Sequence, residues 1–208
     1  MTKPLFIAFE GIDGSGKSTQ VALLAEHLQS VGHRVYCTAE PTTRPIGKMI
    51  RDIFAGRQQA DHKVIAALFA ADRLDHLLNE EDGIMKKLRA GFTVLCDRYY
   101  LSSYAYHSVH MPMDWVIEAN RLAAETLRPD VHLFIDADPE VCMERIRKHR
   151  DTTELYETLG NLKKVKEKYA EAILASQTTE HIVTIHTGNT AEETAVQVRS
   201  VLTDLGLL

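Results

Sequence analysis

Lys17 lies between Gly16 and Ser18 in the stretch FEGIDGSGKST, Phe9 to Thr19. Those residue types at the spacing Gly11-x-x-x-x-Gly16-Lys17-Ser18 suit one task. Glycine lets the backbone curl around an anion with its N–H groups pointing inward. A helix that starts at the lysine adds the positive end of its dipole. Lys17 then reaches the β- and γ-phosphates, and the Ser18 hydroxyl helps to hold Mg2+. The bland alternative is a glycine-rich turn. Average composition yields this pattern by chance in roughly one chain of this length in a hundred. Its location between an apolar strand and an amphipathic helix therefore decides for a nucleoside triphosphate site.

Three further stretches carry candidate chemistry. FAADRLDH, Phe69 to His76, lies on a helical pattern. Taken alone it predicts a core Phe69 with Asp72 and Arg73 solvated, because charges on helices usually face water. CDRYYLSSYAY, Cys96 to Tyr106, follows an apolar strand. Asp97 there matches the Mg2+-linked acid of phosphate-loop enzymes, while the tyrosines alone read equally well as core. EPTTRPIG, Glu40 to Gly47, reads as a proline-rich turn that ends a strand.

The elements that must position these residues follow from hydrophobic periodicity. Residues 4–10, 33–40, 92–99, 131–137 and 181–187 are the expected strands. Val21, Leu24, Ala25 and Leu28 recur at helical spacing, and Gly32 stops that helix. Asp61 is placed to cap a helix from His62 to Asn79. Asp138-Pro139-Glu140 opens another, with proline in its first turn, and Thr190-x-x-Glu193 matches a capping box before the last. Strands separated by helices imply parallel pairing through right-handed crossovers. The expected fold is α/β: a three-layer sandwich around a five-stranded parallel sheet, one domain over residues 1–208. Ligands in such sheets bind beyond the carboxyl ends of the strands, where Glu10, Glu40, Asp97, Asp136 and His186 fall.

Composition narrows the class. A net charge of -5 argues against a protein that coats nucleic acid, but a local basic site still takes a small anion. Cys37, Cys96 and Cys142 are widely spaced and form no CxxC pair. An odd count without a secretory signal reads as reduced thiols in a cytoplasmic protein. No apolar run approaches the roughly 18 residues of a membrane span, so no membrane partner is expected.

Taken together, FEGIDGSGKST, EPTTRPIG, FAADR, DRYYLSSYAY and LFIDADPEVCMERI resemble the thymidylate kinase family in order and spacing. The resemblance runs up to the LKKVKEKY helix and is weakest at the C-terminus. The pairing of FAADR with DRY-x-x-SS-x-AY separates this family from other nucleoside monophosphate kinases. It implies a fold of the phosphate-loop nucleoside triphosphate hydrolase type, transfer of a phosphoryl group from ATP to dTMP with Mg2+, and a homodimer. ATP is then expected on Gly11, Ile12, Asp13, Gly14, Ser15, Gly16, Lys17, Ser18 and Thr19. The metal is expected at Ser18 and Asp97, directly or through water.

The resemblance also implies roles for single residues. Phe69 stacks on thymine, Arg73 donates to a thymine carbonyl, and Ser103 bonds the base edge. Arg98 clamps the dTMP phosphate, Tyr106 crowds the sugar 2′ position, and Asp13 engages the 3′-hydroxyl and the Mg2+ water shell. His107 departs from the family's usual glutamine, and Arg44 has no assignable contact. Gly14 stands where some members carry a loop arginine. ERIRKHRDTTE, Glu144 to Glu154, resembles the lid of the subgroup that carries its catalytic arginine there. The lid is expected around 145–158, with Arg147 and Arg150 as the catalytic cations beside Lys17 and Arg98, and Arg145 mattering less. The plain alternative is a basic helix end that complements the dipole.

Two competitors are weaker. A deoxynucleoside kinase needs a carboxylate base facing a sugar hydroxyl, whereas Arg98 favours a phosphate acceptor. A GTP-hydrolysing switch needs an NKxD-type motif, and this sequence has none.

Overall fold

A computed structural model of the chain describes residues 3–149 and 155–208. The five expected strands form: β1 (Phe6–Glu10), β2 (Val35–Ala39), β3 (Thr93–Asp97), β4 (Val131–Asp136) and β5 (Ile182–His186). They pair in parallel in the order β2-β3-β1-β4-β5. The helices among the described residues are α1 (Lys17–Ser30), α2 (Pro45–Phe54), α3 (His62–Leu78), α4 (Ile84–Arg89), α5 (Tyr100–His107), α6 (Met113–Thr126), α7 (Pro139–His149), α8 (Leu159–Ser176) and α9 (Ala191–Asp204).

Strand alternation builds two cores. Ile7 and Phe9 of β1 pack with Leu24 and Leu28 of α1 and with Val198 and Leu202 of α9. Phe6 and Ala8 point the other way, into a cluster with Tyr100 and Leu101 of α5, Val116 of α6 and Tyr169 of α8. Helices cover both faces and the central strands β1, β3 and β4 are almost wholly buried, so the three-layer expectation is met. Burying a leucine such as Leu28, with no exposed surface, stabilises the fold by about 1.5–3 kcal/mol.

The helix ends follow the sequence signals with one exception. The Asp61 side chain accepts from Lys63 N, and Asp138 Oδ1 accepts from Glu140 N and Val141 N. Thr190 Oγ1 accepts from Glu193 N at 3.1 Å, but the Glu193 carboxylate takes the N–H of Asn189 rather than that of Thr190. The capping box is thus closed on one side only. Beyond β3, Arg98 has φ 74°, a left-handed conformation that costs a non-glycine residue about 1–2 kcal/mol. That bend turns the chain from strand into α5.

Candidate active site

The carboxyl ends of β1, β2 and β3 open into a cleft of about 900 Å³. Its floor is the loop from Gly11 to Gly16 that joins β1 to α1. Gly14 has φ 77°, and a Cβ there would meet the Cys142 carbonyl oxygen of α7 at 2.5 Å. Lys17, in the first turn of α1, donates from Nζ to Ile12 O at 2.9 Å. Its burial, with the Arg98 charge nearby, pushes the ammonium down to about 8. Ser18 Oγ donates to Asp97 Oδ2 at 2.5 Å. The other oxygen of Asp97, Oδ1, has no hydrogen-bond partner among the described residues. A hydroxyl beside a carboxylate with a spare oxygen is a hard-oxygen donor set, the kind that suits Mg2+.

Arg98 is the hub of the middle of the cleft. Its Nη1 donates to Gly11 O at 3.1 Å and to Ser102 Oγ at 3.2 Å. Its Nη2 donates to Asp13 Oδ1 and, at 3.2 Å, to the Tyr106 hydroxyl. Tyr106 OH donates in turn to Asp13 Oδ2 at 2.9 Å, and Asp13 N donates back to Tyr106 OH at 2.9 Å. Burial alone would raise the Asp13 carboxyl, but Arg98 and then Lys17 outweigh it and hold it below the ordinary range.

At the other end Phe69, Arg73 and Ser103 line the cleft together. Arg73 Nε and Nη2 reach Glu40 Oε2 at 2.8 and 2.6 Å, and Nη1 donates to Ser103 Oγ at 3.0 Å and to Asn120 Oδ1. Asp72 accepts from Thr42 N at 2.7 Å and from Thr42 Oγ1 at 2.6 Å. The expectation of solvated charges at 72 and 73 is therefore overturned: Asp72 is 0 % and Arg73 1 % exposed. The reason is that α3 packs against α2, α5 and α6, so the side of the helix that carries these charges meets protein. Burial is tolerable because each charge meets fixed partners.

Several cleft residues escape the motif reading. His107, 2 % exposed, sits 5.2 Å from the Phe69 ring with Nδ1 unpartnered among the described residues. Burial, aided by the Arg73 charge, pushes this imidazole down to about 3, so it is neutral at physiological pH. Arg51 and Arg57 reach the cleft from α2 and the turn after it, and no motif flags them. Tyr169 comes from α8, 158 residues away from Gly11, whose N–H it accepts at 3.2 Å. Only the loop's immediate strand–helix context is visible in sequence, so a partner so distant leaves no local signal. Arg44 faces away from the cleft, paired to Asp75 at 2.6 Å and to Asp82 at 3.3 Å.

The basic stretch after β4 is placed in part. Arg145 Nη1 donates to Gly14 O at 3.3 Å. Arg147 is exposed on α7. Arg150 lies outside the described residues. Beyond them Tyr156 and Glu157 line the cleft.

The profile of the family described as thymidylate kinase matches residues 9–198. The chain belongs to the thymidylate kinase family. A protein named probable thymidylate kinase from Methanocaldococcus jannaschii is 40% identical over 174 residues, 82% of each chain. Another so named, from Pyrobaculum aerophilum, is 38% identical over 198 residues and covers 95% of each. A putative thymidylate kinase from Treponema pallidum is 41% identical over 164 residues, 79% of this chain and 76% of its own. Family membership makes the chain an ATP-dependent phosphotransferase that acts on dTMP. The family match runs past the LKKVKEKY helix, through β5 and into α9, further toward the C-terminus than the motifs reach.

Proposed function

We infer that this chain converts dTMP and ATP to dTDP and ADP with the residues gathered around Arg98. The observation that carries this is one cleft joining the phosphate loop, through Asp13, Arg98 and Tyr106, to Phe69, Arg73 and Ser103. ATP lies along Gly11 to Thr19, and dTMP lies across the Arg98 end. Arg98 clamps the acceptor phosphate with its planar fork. That phosphate is already an anionic nucleophile, so no general base is required. Lys17 and Arg98 neutralise charge on the moving group, and alignment supplies much of the rest. Ser18 and Asp97 are the residues that would hold Mg2+, which would supply positive charge to offset that of the transferring phosphoryl group.

Base recognition rests on Phe69 stacking, worth about 0.5–1.5 kcal/mol beyond burial. Of the five N–H groups of Arg73, the contacts to Glu40, Ser103 and Asn120 leave one Nη2 proton for a pyrimidine carbonyl. Tyr106 fills the space beside the sugar 2′ position, and Asp13 takes the 3′-hydroxyl. A coupled ADP-release assay across nucleoside monophosphates tests the assignment. dTMP is the best substrate, and loss of its single methyl in dUMP lowers kcat/KM by about 10–200-fold. dCMP falls further, because its exocyclic amine reverses a hydrogen bond. Equal kcat/KM for dCMP and dTMP overturns the thymine reading.

The lid reading assigns the remaining cation to residues 145–158 of this single domain, with Arg147 and Arg150 foremost. Gly14 supports it, since no loop arginine is available there. Alanine at either arginine lowers kcat far more than it raises the KM for ATP. Unchanged kcat in both variants removes the lid proposal.

A homodimer is the expected assembly. Val64 and Leu78 of α3 are 51% and 52% exposed, and Trp115 and Leu122 of α6 add to the apolar surface nearby. Light scattering at twice 23.4 kDa is the expected reading, and a monomer mass at working concentration removes it. Among the described residues no helix is long and apolar enough to cross a membrane. The three cysteines are free, which accords with a reducing cytoplasm.

A further inference from the structure

Glu10 closes β1 with a carboxylate that has no exposed surface. Its Oε1 accepts from Tyr99 N at 3.0 Å. Its Oε2 accepts from Ser102 Oγ at 2.5 Å and from Tyr169 OH at 3.3 Å. Ser102 in turn accepts from Arg98 Nη1, and Tyr169 accepts from Gly11 N. The carboxylate is thus one side chain removed from both the Arg98 guanidinium and the first turn of the phosphate loop.

A buried carboxylate needs a counter-charge. Among the described residues the ion-pair partner of Glu10 is His132 of β4, with Nδ1 3.8 Å from Glu10 Oε1. The other ring nitrogen, Nε2, lies 3.4 Å from Glu180 Oε2 and 3.4 Å from the Tyr100 hydroxyl. Tyr100 itself donates to Glu180 Oε2 at 2.6 Å. A neutral imidazole carries a lone pair on one nitrogen: a bare Nδ1 faces the Glu10 carboxylate, and a bare Nε2 faces Glu180 beside a Tyr100 hydroxyl whose proton is already given to Glu180. Nδ1 makes no hydrogen bond among the described residues, so its tie to Glu10 is one of charge. Only the imidazolium presents an N–H to both sides.

The groups facing His132 are Glu10 from β1, Tyr99 and Tyr100 at the head of α5, and Glu180 from the turn before β5. Arg128 pairs with Glu180 from outside at 3.3 Å. Burial alone would lower the imidazole, but the negative charges of Glu10 and Glu180 on either side outweigh it and raise it.

We propose that His132 is a positioning residue for phosphoryl transfer: a buried cation between Glu10 and Glu180 that fixes the carboxylate holding Ser102 and Tyr169, and through them Arg98 and Gly11. The kinetic part rests on the reading of Arg98 as the clamp of the acceptor phosphate. With its folded pKa raised, the His132 contribution is complete below the ordinary histidine value of about 6.5 and is lost as pH rises through the folded value.

Two measurements test it. In ligand-free protein labelled with 15N-histidine, the ring nitrogens of His132 pass from imidazolium to imidazole above the ordinary histidine value of about 6.5. A midpoint at or below that value overturns the proposal, and this arm needs no variant and no view of Arg98. In the second arm, His132→Gln lowers kcat/KM for dTMP by about ten- to hundredfold, as small misplacements of distant support do. The rise in KM is larger for dTMP than for ATP. Glu10→Gln combined with His132→Gln removes both charges and recovers part of that loss, whereas a packing role makes the two losses add. Additive losses overturn the proposal. Arg98→Ala is the separate control: an unchanged KM for dTMP there defeats the clamp reading and leaves the charge state of His132 to stand or fall on the spectra.

Discussion

Lys17→Met lowers kcat by at least about a thousandfold while the protein stays folded, because the ammonium serves charge on the moving phosphoryl group. The side chain is only 5 % exposed, yet its Nζ touches a loop carbonyl rather than the apolar core, and methionine matches its length. Circular dichroism therefore stays close to wild type, and the unfolding midpoint at neutral pH does not fall, because a buried charge has been removed. A variant that retains most of its turnover would falsify the phosphate-loop assignment. A pH profile adds a second check on the same residue. Burial lowers Lys17 from an ordinary 10.5 to about 8 in the free enzyme. Since kcat/KM reports free-enzyme ionisations, kcat/KM for ATP falls as pH rises through about 8. Stability moves the opposite way. Between the folded and unfolded values the unfolded chain binds the extra proton, so raising the pH there favours the fold. A flat profile across that interval removes the claim that the free lysine is so depressed.

Arg73→Leu destabilises the fold by about 3–5 kcal/mol, the usual consequence of stranding one half of a buried ion pair. Glu40, 4 % exposed, loses both of its guanidinium contacts, and among the described residues its carboxylate keeps His76 Nδ1 at 3.1 Å. Ser103 and Asn120 lose a donor as well. Adding Glu40→Gln removes the stranded charge and recovers a large share of the loss. Urea unfolding of the single and double variants measures both effects. A cost below about 1 kcal/mol, the scale of a solvated surface pair, shows that water reaches Glu40 and that the pair is not sealed.

The two halves of this site differ in how they can be read from sequence. The phosphate loop is legible because its own residues are local: one strand, one turn and one helix supply the glycines, Lys17 and Ser18. The central strands are legible for a similar reason, since a sheet buried on both faces leaves apolar runs such as Phe6 to Phe9 of β1. Arg73 and Asp72 are not legible as buried residues, because their partners Glu40 and Thr42 come from a loop more than 29 positions away. Helix α5 is hidden for another reason: all eight of its residues are buried, so no polar face marks its period. Tyr169 and His132 act through contacts that exist only once α8 and β4 are packed beside β1.

The close approach of Gly14 to α7 also bears on how a member of this family changes subgroup. The family resemblance implies a catalytic arginine in the loop for some members and in the lid for others. Moving it to position 14 here requires more than a codon change. Any side chain there meets a φ of 77° and the Cys142 carbonyl oxygen at 2.5 Å from its Cβ. A shift of α7 or a new loop path must come first, and neither has a selective use without the arginine. The two arrangements are therefore separated by a mutational valley, and a lineage that has glycine at this point does not gain a loop arginine in one step. Introducing Gly14→Arg alone then yields a misfitted loop rather than a second catalytic cation.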